Sequence, residues 1–201
     1  MKKINMAYKY KLDLTKEQNQ IFESWSGICR FLYNLGLEHR IISWNQYRKS
    51  VNYFEQANEL KNIKKCDGFE WVKLAPAQLL QQSLKDLDRS FQNFWKSGFG
   101  FPKFKKKGNG DSFRFPDAKQ FEVFKVSRKK AFVKLPKVGC VAFKLSREIE
   151  GKIKNATIKR DTSGWSISFC VEKEIEVPVN KLPTVGIDRG IRETLVLSGE
   201  K

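Results

Sequence analysis

The chain has 201 residues, 40% apolar and 13% aromatic, enough to bury one large core or two small ones. It contains no long apolar run, and its basic N-terminus lacks the apolar stretch of a signal peptide. Neither a membrane-spanning helix nor export is therefore predicted, and a cytoplasmic location is expected. The four cysteines form no CxxC pair and the only histidine is His39, which argues against a zinc site and against histidine-based nucleophilic catalysis.

The formal charge of +17 is concentrated in the middle of the chain. Residues 101–160 contain 18 Lys and Arg against 5 Asp and Glu, whereas residues 161–201 contain 5 against 7. Because Lys and Arg that neutralise phosphates release condensed counterions, this distribution favours a polyanionic partner. A generally basic, solvated surface is the alternative explanation.

The N-terminal part predicts a strand followed by a long helix. Alternate residues of 4–14 are apolar, which is typical of a half-buried strand. Thr15 and Gln18 have the spacing of a capping box. Apolar residues then recur at steps of three and four up to Trp44 or Tyr47, which predicts one amphipathic helix.

The next part of the chain predicts two more helices and then a change to strands. A short helix is predicted around 54–60, and another from Pro76 to near Gly98. Residues 98–111 are a loop rich in glycine and lysine. Six strands are predicted after it, at 112–115, 120–126, 131–136, 139–145, 154–161 and 165–173.

This order of elements predicts an α+β protein built around a small antiparallel barrel. Residues 1–14 and 99–177 form the barrel in this interpretation, and residues 15–98 are a helical insertion after its first strand. Residues 178–183 are a linker bracketed by prolines. Residues 184–201 contain two more predicted strands, which begin a further domain.

The loop and strand at 101–115 interleave aromatic and cationic residues. Aromatic rings can stack on unpaired bases while cations hold the phosphates. Phe101, Phe104, Phe113 and Phe115 suit either this role or a place in the core. The candidate phosphate-binding cations are Lys103, Lys105, Lys106, Lys107 and Arg114.

Two further segments carry candidate nucleic-acid contacts. The polar face of the third helix displays Gln78, Gln81, Lys85 and Arg89. These are candidate contacts because glutamine can read adenine edges and cations can meet phosphate. An ordinary exposed helix face is the alternative. A hairpin tip carries Arg128, Lys129 and Lys130, which suits either phosphate contact or a solubilising turn.

Asp188 follows a short apolar run near the end of the sequence. Carboxylates at strand ends recur in nucleases that use two metal ions for phosphodiester displacement. Such a centre needs two or three carboxylates, and the only later acids here are Glu193 and Glu200. The residues alone therefore favour a turn-forming aspartate over a metal ligand.

The chain resembles the N-terminal half of TnpB (OrfB), a transposon-encoded RNA-guided DNA endonuclease related to type V CRISPR effectors. The matching stretches follow one another in the same order as in that family. No single stretch is specific, but the ordered set covers nearly the full length. The stretches are YKYKLDLTKEQ (8–18), CRFLYNLGL (29–37), APAQLLQQSLKDLDRSFQNFW (75–95), GFPKFKKK (100–107), SFRF (112–115), VKLPKVGCVAFK (133–144), IEGKIKNATIKRDTSGWSISFCVE (149–172) and VGIDRGI (185–191).

The resemblance implies a fold, partners and site residues. The barrel is expected to be an oligonucleotide-binding-like wedge domain, the helices a recognition lobe, and the last strands the start of an RNase H-like RuvC domain. The expected partners are a guide RNA from the transposon end and a target DNA duplex. Asp188 matches the first catalytic, Mg²⁺-binding aspartate. Tyr53, Gln78, Gln81 and Asp117 match residues that read the target-adjacent motif.

The sequence departs from the family in its acidic and cysteine residues. A glutamate, a second aspartate and a four-cysteine zinc element of the family have no counterpart in these 201 residues. We therefore expect that this polypeptide alone holds no Mg²⁺ stably and does not cleave DNA. Metal-dependent cutting that is lost on Asp188→Ala would contradict this. Two alternatives remain at this point: a catalytically inactive RNA-guided regulator or repressor, and a conventional helix-turn-helix protein that reads DNA with residues 15–50.

Overall fold

The computed structural model describes residues 2–176, together with the backbone of residues 186–188 and 196–198. The helices are α1 (Lys16–Tyr47), α2 (Tyr53–Ile63) and α3 (Ala77–Ser97), with 3₁₀ helices at Glu70–Leu74 and Ala118–Gln120. The strands are β1 (Lys2–Asp13), β2 (Ser112–Phe115), β3 (Glu122–Lys125), β4 (Lys130–Leu135), β5 (Gly139–Lys144), β6 (Lys152–Asp161), β7 (Gly164–Ile175), β8 (Gly186–Asp188) and β9 (Val196–Ser198). Within this part of the chain, no helix is long and apolar enough to cross a membrane.

The helix boundaries follow the local signals in the sequence. The Gln18 N–H donates to Thr15 Oγ1 over 3.3 Å, and the Thr15 N–H donates to Gln18 Oε1 over 3.2 Å, so the predicted capping box is confirmed. Asn52 and Glu55 form a second capping box at the start of α2. Helix α3 begins directly after Pro76 and ends where Gly98 takes a left-handed φ of 66°.

The central strand of the main sheet is β1. Its residues 2–11 pair antiparallel with β7, and its last two residues, Leu12 and Asp13, pair antiparallel with β5. The seven strands follow the order β2-β6-β7-β1-β5-β4-β3. The α+β class is therefore confirmed, with a seven-stranded antiparallel sheet that contains strands from both sides of the helical segment.

The predicted closed barrel is not found. The two edge strands, β2 and β3, are not paired with each other in the described residues, so the sheet is open. Pro116 follows β2 directly and has no N–H to continue a ladder. The chain then forms the short 3₁₀ helix, and Phe121 packs its ring against Phe115 at 6.3 Å and Phe169 at 5.9 Å. This connection runs between the two edges in place of strand pairing.

Helix α1 packs directly on the sheet. The ring of Phe22 lies 5.2 Å from that of Phe113 and 5.5 Å from that of Trp165, both on strands of the sheet. Phe113 and Phe115 are 4% and 0% exposed, so these two rings belong to the core. Phe101 and Phe104, by contrast, are exposed. One core cluster joins residues of β1, α1, α3 and the strands after residue 112.

A close helix contact at Gly36 joins α1 to α3. A Cβ added at Gly36 would lie 2.9 Å from Leu87 Cδ2 and 3.2 Å from Leu84 Cδ2, so only glycine lets the helices approach this closely. We expect Gly36→Val to lower the free energy of unfolding by about 1–3 kcal/mol through overpacking. Gly27 lies on the same helix, and a Cβ there meets only Arg30 Nη2, at 3.8 Å. Chemical denaturation should show Gly27→Ala stabilising by about 0.5–1 kcal/mol; equal effects at both sites would contradict the packing argument.

The last described elements are β8 and β9. They pair antiparallel, with Gly186 opposite Ser198 and Asp188 opposite Val196. Two strands were predicted in this part of the chain, and the backbone confirms them. The Asp188 side chain and the linker predicted at 178–183 lie outside the described residues.

Candidate nucleic-acid interface

A polar groove runs along the outer face of α3. Its largest cavity, about 310 Å³, is lined by Tyr53 of α2, by Lys85 and Arg89 of α3, and by Arg114 of β2. The Lys85 Nζ atom lies 5.5 Å from the centroid of the Tyr53 ring. Burial raises the pKa of the Tyr53 hydroxyl. The structure thus brings together four predicted contact residues from three separate segments.

Gln78 and Gln81 extend this face toward the start of α3. Both are exposed, and their three- and four-residue spacing to Gln82 and Lys85 places all four on one side of the helix. The groove also contains carboxylates. Gln82 donates to Asp86 over 2.8 Å, and Gln92 donates to Asp88 over 2.8 Å.

Lys85 and Arg89 are the cations of the groove that remain available to a ligand. Among the described residues, no carboxylate lies within ion-pair distance of either. The Arg114 guanidinium donates to Thr157 Oγ1 over 3.3 Å, and this bond fixes it at the groove wall. The groove therefore presents two free cations beside one anchored cation.

The groove continues from Arg114 toward Lys105 through a second, smaller cavity of about 100 Å³. Residue Lys105 is held by a reciprocal pair of hydrogen bonds: its N–H donates to Asn34 Oδ1 over 2.8 Å, and Asn34 Nδ2 donates to its carbonyl over 3.0 Å. Its ammonium nitrogen lies 4.0 Å from the centroid of the Tyr33 ring. Burial lowers the pKa of Lys105, while Asp86 acts in the opposite direction. This inward placement competes with the predicted phosphate contact.

The rest of the lysine loop is anchored by Asp111. The Arg30 guanidinium reaches Asp111 Oδ1 at 2.6 Å, and the Gly108 N–H donates to Asp111 Oδ2 over 3.2 Å. Lys106 lines a third small cavity beside Arg30 and Asp111. Sequence reasoning did not single out Arg30 or Asp111, because an ion pair across 81 positions leaves no local periodic signal. The loop is thus fixed at one end while Lys103, Lys106 and Lys107 stay exposed.

The remaining candidate residues are spread over other parts of the surface. Lys103 and Lys107 are exposed in the loop. Asp117 accepts the Lys119 N–H over 3.0 Å and so caps the short 3₁₀ helix. Arg128, Lys129 and Lys130 lie at the β3–β4 hairpin, close to the opposite edge of the strand order from Arg114. Nucleic-acid contact by these residues stays a prediction.

The described residues contain no candidate metal site. Within them, no group of three or more His, Cys, Asp or Glu side chains could hold a metal ion. The four cysteines are free thiols, and burial raises the pKa of Cys29 to about 11. The Asp188 carboxylate lies outside the described side chains, so its role as a metal ligand stays a prediction.

The chain matches known proteins along its whole length. Residues 1–49 match the family model described as the helix-turn-helix domain of OrfB proteins. The chain is 33% identical over 193 residues to a candidate RNA-guided DNA endonuclease of Escherichia coli, InsQ, across 96% of this chain and 47% of that protein. It is 28% identical over 207 residues to a candidate RNA-guided DNA endonuclease of Streptomyces pristinaespiralis, across 100% of this chain and 50% of that protein.

These matches define a class, the DNA-binding proteins associated with transposons. Within that class, the chain is similar over nearly its whole length to RNA-guided DNA endonucleases of the TnpB/OrfB family, and the resemblance seen in the sequence is confirmed. The chain spans about half the length of the curated relatives it matches.

The structure of residues 1–49 differs from what the name of the family model suggests. Residues 16–47 form one uninterrupted helix, and the nearest turn, residues 48–52, begins only at the end of the matched range. A conventional helix-turn-helix motif, in which a tight turn joins two short helices, therefore does not lie within residues 16–47. The sequence expectation of one long helix there is confirmed.

Proposed function

We propose that this chain is the nucleic-acid-binding portion of a transposon-linked RNA-guided DNA endonuclease, and that it binds a guide RNA and a target DNA duplex. The observation that carries the proposal is the α3 groove, where Lys85 and Arg89 lie beside Tyr53 without carboxylate partners among the described residues. Similarity to RNA-guided DNA endonucleases of the TnpB/OrfB family supports it. The high positive charge of the chain supports a polyanionic partner independently.

The groove suits the DNA duplex next to the target. In this proposal Lys85 and Arg89 meet phosphates and fix the register, while Gln78, Gln81 and Tyr53 face base edges. Glutamine can bond an adenine edge through two hydrogen bonds, which supplies sequence information that phosphate contacts lack. The exposed side chains of Gln78 and Gln81 on the same helix face are consistent with this division of roles.

The finer fold assignments belong to the same proposal. The open sheet is a wedge-type, oligonucleotide-binding-like unit, the helices α1–α3 are the recognition lobe, and β8 and β9 begin a RuvC-like domain. The dual pairing of β1 supports the first assignment, because it lets one strand link two parts of a curved sheet. The antiparallel pairing of β8 with β9 supports the last.

Asp188 is the proposed first metal ligand of that nuclease domain. Mg²⁺ prefers oxygen ligands, and a carboxylate at the end of β8 has the chemistry to supply one. Such an ion would stabilise the charge that develops during phosphodiester displacement. The remaining ligands are not among the described side chains, so the assignment to Asp188 rests on the family resemblance.

The proposal is tested by binding a labelled DNA duplex of about 30 base pairs, with and without a guide RNA, by fluorescence anisotropy. We expect the affinity without RNA to fall steeply with salt, with a dissociation constant of about 10⁻⁶–10⁻⁴ M near physiological ionic strength. Added guide RNA should create a preference for duplexes complementary to it. Tight binding to one fixed sequence in the absence of RNA would overturn the proposal.

A further inference from the structure

The outer face of strands β3, β4 and β5 carries an arrangement of side chains that the groove does not use. On β4, Ala131 and Val133 are buried, so the alternate residues Lys130, Phe132 and Lys134 lie on the solvent side. The register extends this pattern across the neighbouring strands. Phe132 stands opposite Phe124 of β3 and Ala142 of β5, and Lys130 stands opposite Lys144 of β5.

The aromatic row is open to solvent. Phe124 is 40% exposed and Phe132 is half-buried, although both are large apolar side chains in the middle of regular strands. The Lys130 ammonium lies 5.4 Å from the centroid of the Phe132 ring, which places a cation directly beside the ring face. Exposed rings with a cation alongside form a surface on which an unpaired base can stack.

Lys130 and Lys144, which form the lysine row of this face, repel each other. Like charges directly opposite each other on antiparallel strands destabilise a sheet, and Lys130 and Lys144 are such a pair. In residues 2–176, neither forms an ion pair, and the neighbouring Arg128 and Lys129 form none either. A bound phosphate would relieve this repulsion. Glu122 lies beside Lys134 at the other end of the face, so the positive excess is confined to the Lys130 end.

The hairpin that carries these cations is held in place. The Ser127 hydroxyl accepts the Lys130 N–H over 3.2 Å, and the Leu145 N–H donates to the Lys129 carbonyl over 3.0 Å. The backbone that carries the cations is therefore fixed relative to the aromatic row. Their ammonium groups can then reach the phosphates of a strand whose bases stack on the rings.

We infer that this outer face, defined by Phe124, Phe132, Lys130 and Lys144, is a second nucleic-acid site that binds unpaired RNA. Bases stack on the two rings, and the backbone phosphates lie against the two lysines. The choice of RNA rests on the proposed function, which places a guide RNA on this chain. The α3 groove, at the other edge of the strand order, is left for duplex DNA.

The test uses the full chain and a labelled, unstructured RNA of about 12 nucleotides, measured by fluorescence anisotropy. Phe124→Leu/Phe132→Leu keeps apolar side chains but removes both rings, and we expect it to weaken RNA binding by about 10- to 100-fold. Tyr47, which is 74% exposed at the end of α1, supplies the matched control: Tyr47→Leu should leave RNA binding unchanged. Phe132→Tyr, which restores an aromatic ring, should retain it.

The lysine row is tested separately by salt dependence. Lys130→Gln/Lys144→Gln should reduce the slope of log affinity against log salt by about 1.4, the value for two single-strand phosphate contacts. Lys61→Gln/Lys65→Gln removes the same charge from exposed positions in and just after α2 and should change the slope by much less. Thermal melting of each variant identifies any loss caused by unfolding.

The outcomes separate this inference from the proposed function. Unchanged RNA affinity in the folded Phe124→Leu/Phe132→Leu variant would overturn the second site, and duplex binding by the groove would be unaffected. Equal affinity of the wild-type face for single-stranded DNA of the same sequence would overturn the assignment to RNA. Loss of RNA binding with duplex binding retained is the result that the inference requires.

Discussion

Replacing Lys85 and Arg89 together by glutamine should lower the affinity of the chain for duplex DNA by roughly 50-fold at about 0.1 M salt. Each phosphate contact contributes about 0.9 to the slope of log affinity against log salt, so losing two should reduce the slope by about 1.8. The reason lies in the groove, where these two cations have no carboxylate partner among the described residues and are free to meet phosphate. The measurement is a salt titration of duplex binding by anisotropy.

The control for this prediction makes the same change in net charge as the test variant. Lys61→Gln/Lys65→Gln also removes two positive charges, but from exposed positions outside the groove, and should weaken binding by less than about 3-fold. Both Lys85 and Arg89 are exposed, so neither substitution is expected to change stability by more than about 0.5 kcal/mol. Equal losses in the two double variants would show that binding follows net charge and not the groove.

The local elements of this fold were predictable because their signals are local. The capping box of Thr15 and Gln18, the αL end of α3 at Gly98 and the alternation in β4 all act over a few residues. Sequence periodicity therefore predicted the long helix α1 and the strand positions within a few residues. The two strands β8 and β9 were predicted from the same kind of pattern, whereas their antiparallel pairing was not.

The closure of the sheet and the placement of single cations were not predictable in this way. Whether the edge strands β2 and β3 meet depends on the path of the chain around Phe121, which no periodicity specifies. Lys105 was predicted from the sequence as a phosphate contact, like its lysine neighbours, yet Asn34, 71 positions earlier, helps to set its direction. Contacts over such separations are decided by packing, which a single sequence does not display.

The candidate groove likewise combines features that the sequence predicted with features that it did not. The sequence correctly assigned Lys85 and Arg89 to one polar helix face, because helical spacing determines it. Helical spacing gave no reason to place Tyr53 or Arg114 beside them, since α2 and β2 reach α3 only through the tertiary fold. Only the family resemblance grouped Tyr53 with residues of α3. The sequence predicted Phe124 and Phe132 only as strand residues. Their exposure depends on which face of the sheet α1 covers, and the sequence pattern does not specify that.

Arg40 forms a buried polar junction within the helical segment. It is 6% exposed, donates through Nε to Gln56 Oε1 over 3.0 Å and through Nη2 to Asp88 Oδ1 over 2.9 Å. Gln56 in turn donates to the Gly36 carbonyl over 2.8 Å, and the Arg40 guanidinium lies 4.9 Å from the Phe91 ring centroid. One side chain thus ties α1 to both α2 and α3.

Arg40→Ala should lower the free energy of unfolding by about 2–4 kcal/mol, because it leaves Gln56 unsatisfied and Asp88 without its cation. The lower part of this range reflects the partial exposure of the Asp88 side chain, 25%, which lets water replace part of the lost contact. For a chain of this size the midpoint of thermal unfolding should fall by about 5–15 °C. Circular dichroism or calorimetry measures it directly.

Arg48 offers the matched comparison, because it is an exposed arginine just after the end of the same helix. Among the described residues, its side chain has only a ring contact, to Trp44 at 5.9 Å. Arg48→Ala should change stability by less than about 0.5 kcal/mol. Asp88→Ala combined with Arg40→Ala should cost less than the two single changes added together, since the pair is broken only once. Strict additivity, or an Arg40→Ala effect no larger than that of Arg48→Ala, would mean that packing against Phe91 and not the polar network holds the three helices together.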